Sequence, residues 1–177
     1  MRVVVTGAAN PQGEAIVDAL VQKGFSIRLF AVDASVAAKW GDKVQWYAGH
    51  VATTGSIEPV LAEREILVHA AALDTPGKDK AAHAFHIERS TLACRYGAER
   101  ELLDQFIHVA PAADAKGVYK QVHDHAILTA QETRKVEAII VHAHPDPAQT
   151  AQEVVHHIEN GKHLGRIPGR ETDALVQ

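Results

Sequence analysis

A run of β-formers, Arg2-Val3-Val4-Val5-Thr6, leads straight into Gly7-Ala8-Ala9-Asn10-Pro11-Gln12-Gly13. This junction restricts the chain more than any other stretch. Ile16, Val17, Leu20 and Val21 follow at helical spacing, Gly24 stops the pattern, and Ser26-Ile27-Arg28-Leu29-Phe30-Ala31-Val32 reads as a second strand. Strand, glycine turn, helix and strand over residues 1–33 predict a parallel α/β unit, because parallel neighbours need a crossover to return the chain.

The rest of the chain repeats the alternation. Residues 33–40 read as a short helix capped by Asp33 or Ser35, and Val44-Gln45-Trp46-Tyr47-Ala48 as a third strand closing at Gly49-His50-Val51. Ser56 is a candidate cap for a helix through Ile57, Val60 and Leu61. Glu65 to Ala70 reads as a buried fourth strand continuing into Ala71-Ala72. The polar stretch 73–82 contains Pro76-Gly77 and reads as a loop. Residues 84–103 form a long helical candidate with Phe85, Ile87, Leu92, Tyr96 and Leu102 available for an apolar stripe. Gln105 to Ala110 is a fifth strand stopped by Pro111. Residues 118–135 read as a helix, Glu137 to His142 as a sixth strand, and residues 148–160 as a last helix ended by Gly161. The expectation is one α/β domain over residues 1–177, a Rossmann-type doubly wound parallel sheet of about six strands in the order 3-2-1-4-5-6. A flavodoxin-like order with the same elements is the alternative.

Composition narrows the functions. With 177 residues, 46% apolar and 23% charged, the chain is long enough for a sizeable core. A net charge of −4 gives no reason to expect nucleic acid or an anionic membrane as partner. No apolar run approaches the ~20 residues of a membrane span, and the first residues enter a strand without a signal-peptide pattern. Cys94 is the only cysteine, so no intrachain disulfide forms, in keeping with a cytoplasmic setting.

The first turn has the chemistry of a phosphate cradle. Such a cradle needs small residues, so that backbone N–H groups can approach a pyrophosphate, and a helix N-terminus aimed at the anion. Gly7 and Gly13 suit the outer positions. Asn10 stands where a middle glycine would be; it tolerates a left-handed backbone and is also a good N-cap. Pro11 suits the first helical position but has no N–H to offer a phosphate. Asp33 lies about 20 residues after Gly13, the distance at which an acidic residue grips the adenosine ribose of a dinucleotide. It is equally suited to cap the next helix. No basic residue lies between Ala31 and Ser35 to receive a 2′-phosphate, which favours NAD over NADP without excluding the latter.

These residues carry a resemblance to the short-chain dehydrogenase/reductase superfamily, in its extended or atypical branch, the NAD-dependent epimerase/dehydratase group. Val4-Val5-Thr6-Gly7 through Gly13 resembles that family's Thr-Gly-x-x-Gly-x-x-Gly. Gly24 to Leu29 is similar to its second strand, and Val44 to Val51 to its third. Leu67-Val68-His69-Ala70-Ala71-Ala72 is similar to its Val-Ile-His-x-Ala-Ala strand beside the cofactor. Phe106-Ile107-His108-Val109 resembles its fifth strand, and Tyr119 stands where its catalytic helix begins. The resemblance implies cofactor contacts at Gly7, Asn10, Pro11, Gln12, Gly13, Asp33, His50, Val51, Ala70, Ala71 and Ala72. It also implies a catalytic Tyr119 with His123 beside it, a small-molecule substrate bearing a hydroxyl or carbonyl (a nucleotide sugar among them), and a homodimer through helices 84–103 and 118–135.

The departures bear on chemistry. The family's acidic residue after the third strand is His50 here, its Asn before the long helix is His86, its Ser-Ser is Ala110-Pro111, and its Tyr-x-x-x-Lys is Tyr119-x-x-x-His123. A phenol of pKa about 10 needs a nearby cation to work near neutrality, and His123 is charged mainly below its own pKa of about 6.5. The loss of the serine removes a hydrogen-bond donor to the reacting oxygen, commonly several kcal/mol of transition-state stabilisation. Little chain follows the sixth strand to build the family's substrate lobe. Impaired catalysis with surviving cofactor binding is the expectation, and a non-catalytic dinucleotide-sensing or protein-interaction module is the alternative.

Twelve histidines raise a metal question. His123 and His125 are two apart and His156 and His157 adjacent, so neither pair shares a helix face. His144 stands at a proline break beyond His142. No His-Glu-x-x-His or paired-cysteine pattern occurs, and no metal is expected.

Overall fold

The computed structural model describes residues 1–31, 33–49, 57–71, 80–101, 103–112 and 136–161, with the backbone alone for 80–87. Strands β1 (Arg2–Thr6), β2 (Ser26–Ala31), β3 (Val44–Ala48), β4 (Ile66–His69), β5 (Gln105–Ala110) and β6 (Glu137–His142) form one sheet in the order β3-β2-β1-β4-β5-β6. Every pairing is parallel. This is the doubly wound order expected from the sequence.

Alternation along the strands divides the core in two. On one face Val3, Val5, Ile27, Leu29, Ile66, Val68 and Ile107 meet helices α1 (Pro11–Gln22) and α5 (Pro147–Asn160). Ile16, Val17 and Leu20 of α1 and Ala151, Val154 and Ile158 of α5 complete that layer. On the other face Val4, Phe30, Leu67 and Phe106 meet Ile57, Val60 and Leu61, which form or flank helix α3 (Glu58–Leu61), and Cys94 and Ala98 of α4 (Lys80–Arg100). Helix α2 (Ser35–Ala38) follows β2. Among these strands β4 and β5 are buried throughout, as central parallel strands covered on both faces must be.

Three readings of the sequence need correction. Helix α4 begins at Lys80 and ends at Arg100, so residues 80–82 belong to the helix and not to the loop; Lys80-Ala81-Ala82 are all good helix formers. Among the described residues its buried positions are Ser90, Thr91, Ala93, Cys94, Gly97 and Ala98, while of the expected stripe Leu92 is half-buried and Tyr96 is 52% exposed; the side chains of Phe85 and Ile87, and Leu102, lie outside the described residues. Small residues let the helix lie close to its neighbours, and a Cβ at Gly97 would press on Leu61. Finally, β4 stops at His69. Ala70 leaves the ladder after donating its N–H to Thr6 O (3.1 Å).

Candidate functional site

The chain winds outward from β1 through β2 to β3, then crosses back to place β4 on the other side of β1. The carboxyl ends of β1 and β4 therefore flank the topological switch point, where doubly wound folds open a crevice. The turn after β1 and the Ala70–Ala71 segment after β4 meet there. Gly7 has φ +79°, and a Cβ on it would overlap the Ala70–Ala71 peptide. A Cβ on Gly13 would overlap Gly7 O. Both glycines are thus required by close backbone approach as well as, at Gly7, by a left-handed conformation.

Asn10 is the N-cap of α1, with an extended backbone at φ −93° rather than the left-handed one its residue type allows. Its Oδ1 accepts from Gly13 N (2.9 Å) and its Nδ2 donates to Ala70 O (3.0 Å). Asn10 N donates to Gly7 O (3.2 Å), and Asn10 O accepts from Glu14 N (2.9 Å). Pro11 follows at N1. Gln12 reaches sideways, its Nε2 donating to His144 O (2.8 Å). At the end of β2, Asp33 is exposed, and its Oδ1 accepts from Ser35 N (2.8 Å). That backbone bond, with a further one from the Ser35 side chain, holds its carboxyl below the usual aspartate value. Asp33 therefore supports the turn into α2 and still presents a carboxylate to solvent.

Gly7, Asn10, Pro11, Gln12, Gly13, Asp33, Ala70 and Ala71 thus gather at one end of the sheet. His50, Val51, Ala72, Tyr119 and His123 lie outside the described residues, as do Ser56 and residues 118–135, and of His86 the backbone alone is described.

A buried polar cluster beneath this crevice escaped the sequence reading. Thr6, His69 and His108 occupy one register row across β1, β4 and β5. His69 Nδ1 lies 2.7 Å from Thr6 Oγ1 and 3.4 Å from Cys94 Sγ, and its Nε2 lies 3.2 Å from Thr91 Oγ1. A neutral ring with the proton on Nε2 can donate to Thr91 Oγ1 and accept from Thr6 Oγ1 at Nδ1, whose single lone pair leaves the Cys94 thiol a longer, weaker contact. The His108 ring is 5.5 Å away, centroid to centroid. Burial lowers the His69 pKa to about 3 and pushes the Cys94 thiol well above its ordinary value. Neither group is ionised near neutrality, so neither serves as proton shuttle or nucleophile there. The cluster fixes the strand ends that carry the turn.

Among the described residues the other histidines have local partners: His144 Nε2 lies 2.8 Å from Glu153 Oε2, His142 Nδ1 faces Pro111 O at 3.1 Å, and the His156 and His157 rings meet edge to face on α5, 5.9 Å between centroids. A groove of about 490 Å³ lies between α1 and α5, lined by Ala19, Gln22, Lys23, Gln152, Val155, His156 and Glu159. It sits on the outer surface of the helices, away from the strand ends.

Sheet order, switch-point turn and helix layers define a doubly wound α/β domain of the Rossmann type. No protein-family model matches the chain, and no curated protein matches it in sequence. Solved structures do match in fold. Serine dehydrogenase from Escherichia coli superposes with a TM-score of 0.68 at 16% identity, over 88% of this chain and 90% of that one. WbmG from Bordetella bronchiseptica, solved in complex with NAD, superposes with a TM-score of 0.64 at 15% identity, over 80% of this chain and 52% of that one. UDP-glucose 4-epimerase from Thermotoga maritima, solved with UDP-glucose, gives 0.62 at 16% identity, over 75% and 52%. The chain spans about half the length of the latter two. At these identities the likeness is one of fold.

Proposed function

We infer that the chain binds a nicotinamide dinucleotide at the β1–α1 turn, NAD in preference to NADP, and that it is a relative of epimerases, dehydratases and reductases. The observation that carries this reading is the turn itself. Gly7 and Gly13 let the end of β1, the start of α1 and the Ala70–Ala71 segment close on one another without a Cβ in the way, at the switch point where such cofactors lie. The backbone around Gly7 to Gly13 would hold the pyrophosphate, Asp33 the adenosine ribose, and the Ala70–Ala71 segment the path toward the reactive half. The fit is close but short of donors, since Pro11 has no N–H. When bound, such a cofactor supplies hydride transfer to or from a carbonyl or hydroxyl carbon. On the protein's side Tyr119 acts as acid/base, with His123 as a weak substitute for the usual lysine, on a small-molecule substrate such as a nucleotide sugar.

Titration with NADH and NADPH, followed by energy transfer from Trp40 and Trp46, tests the binding. NADH is expected to bind more tightly, and an absence of binding by either at millimolar concentration overturns the reading. If turnover is found, Tyr119→Phe should abolish it.

A second reading, a dinucleotide-sensing or protein-interaction module without catalysis, draws support from Ala110-Pro111 and His123 standing where the family has its serines and lysine. Cofactor binding with no turnover on sugar nucleotides, ketones or aldehydes favours it, and measured redox turnover counts against it. A homodimer through α4 and residues 118–135 belongs to both readings, and the exposure of Tyr96 on α4 supports it.

A further inference from the structure

Anion sites at helix N-termini work because the first N–H groups have no partner within the helix. In α1 that supply is reduced by the chain itself. Position N1 is Pro11, which has no N–H. The N3 donor, Gly13 N, is taken by Asn10 Oδ1 at 2.9 Å. Among the described residues, Gln12 N is the one N–H of this first turn for which no acceptor is present. The same Asn10 side chain is only 7% exposed, and its Nδ2 is tied to Ala70 O. It therefore bridges the two backbone segments that flank the crevice, and it stands where a glycine would leave both open.

We propose that Asn10 is an internal latch on this turn. Its side-chain amide occupies the anion's place at Gly13 N and pins the turn to Ala70, just beyond β4, so a dinucleotide binds only by displacing it. The proposal rests on the dinucleotide reading of the site. It makes Asn10 the residue that sets cofactor affinity, through competition for a backbone donor and not through a contact that favours the cofactor.

Competition has a signature that a structural role lacks. Asn10→Gly removes the cap and the Ala70 bond, so the melting temperature falls. The same change frees Gly13 N and clears the approach, so NADH binds about tenfold more tightly, roughly the factor one charge-assisted hydrogen bond supplies. A residue that merely holds the turn in shape would lose stability and affinity together. Asn10→Asp keeps a side-chain acceptor for Gly13 N but sets a carboxylate against the pyrophosphate, and binding should weaken by on the order of tenfold. The experiment is NADH titration of wild type and both variants by calorimetry, with thermal melts of each.

Opposite movement of stability and affinity in Asn10→Gly, with weakened binding in Asn10→Asp, supports the latch. A folded Asn10→Gly protein that binds NADH no more tightly than wild type overturns it and leaves the cofactor reading intact. So does an Asn10→Asp protein that binds like wild type, which decides the matter even if the glycine variant does not fold. If neither wild type nor any folded variant binds NADH at millimolar concentration, the dinucleotide reading fails and the latch with it.

Discussion

His69 shows how a single residue can be chemically silent and still govern behaviour. Its ring is fully buried between Thr6, Thr91 and Cys94, and burial holds its pKa at about 3. In the unfolded chain the same ring titrates near 6.5. Between those values the unfolded state binds the extra proton, so stability falls as the pH drops from about 6.5 toward 3 and gains nothing further from this residue above that range. The slope is at most about 1.4 kcal/mol per pH unit. Urea midpoints at pH 7.5, 6 and 5 should therefore converge between wild type and His69→Asn as the pH falls, because the variant lacks this titration. A gap that stays constant with pH would show that His69 does not carry the effect. Site residues differed in how visible they were beforehand. Gly7, Asn10, Gly13 and Asp33 announce themselves by type and local spacing. The His69 cluster does not, because Thr6 and His69 are separated by 63 positions and meet only through strand register. The Gln12–His144 bond spans 132 positions and has no local signal at all.

At the scale of elements, legibility follows the mechanism that sets each boundary. β3, β5 and β6 are bounded in sequence as they are in the structure: β3 and β5 stop at Gly49 and Pro111, and β6 ends just ahead of the His144-Pro145 break. Helix α4 is the exception. Its buried face carries small and polar residues, so hydrophobic periodicity had little to report. Helices α1 and α5 share one starting device, an Asn or Asp N-cap followed by proline at N1. In α5 the Asp146 carboxylate accepts from Ala148 N at 3.0 Å, and among the described residues no side-chain bond ties it to a strand end. It acts there as a cap, whereas Asn10 is also tied to Ala70, just beyond β4. Asp146→Ala should cost about 1 kcal/mol of folding stability, the usual worth of such a cap, with NADH affinity unchanged. Equilibrium urea denaturation reads the first and titration the second. A variant that loses affinity as well would mean that the start of α5 communicates with the crevice, a route that would run through Gln12 and His144.

At the scale of the whole molecule, the proposed homodimer needs a surface on which a second copy could dock. The sheet has two edges, β3 and β6, and its faces are covered by helices. Among the described residues none forms a helix apolar and long enough to cross a membrane. Two exposed aromatics stand out: Trp46 on the β3 edge, 38% exposed, and Tyr96 on α4, 52% exposed. Trp46 already uses its indole N–H on Ala31 O within the sheet (3.1 Å). Tyr96 projects from α4 with the Arg95 guanidinium 5.2 Å from its ring centre, and Arg95 in turn bonds Glu99 (3.1 Å). An aromatic braced by an arginine is the kind of side chain that anchors interfaces. A homodimer through α4 therefore makes Tyr96→Glu the decisive variant. It buries a charge in the interface and leaves the monomer's core untouched, so dissociation should strengthen by about 2 kcal/mol, roughly thirtyfold. Sedimentation equilibrium across a range of concentrations measures the shift. A wild-type protein that is monomeric throughout contradicts the dimer outright. A dimer indifferent to Tyr96→Glu but broken by Trp46→Glu would mean that copies join instead along the β3 edge, where unpaired backbone groups invite another strand.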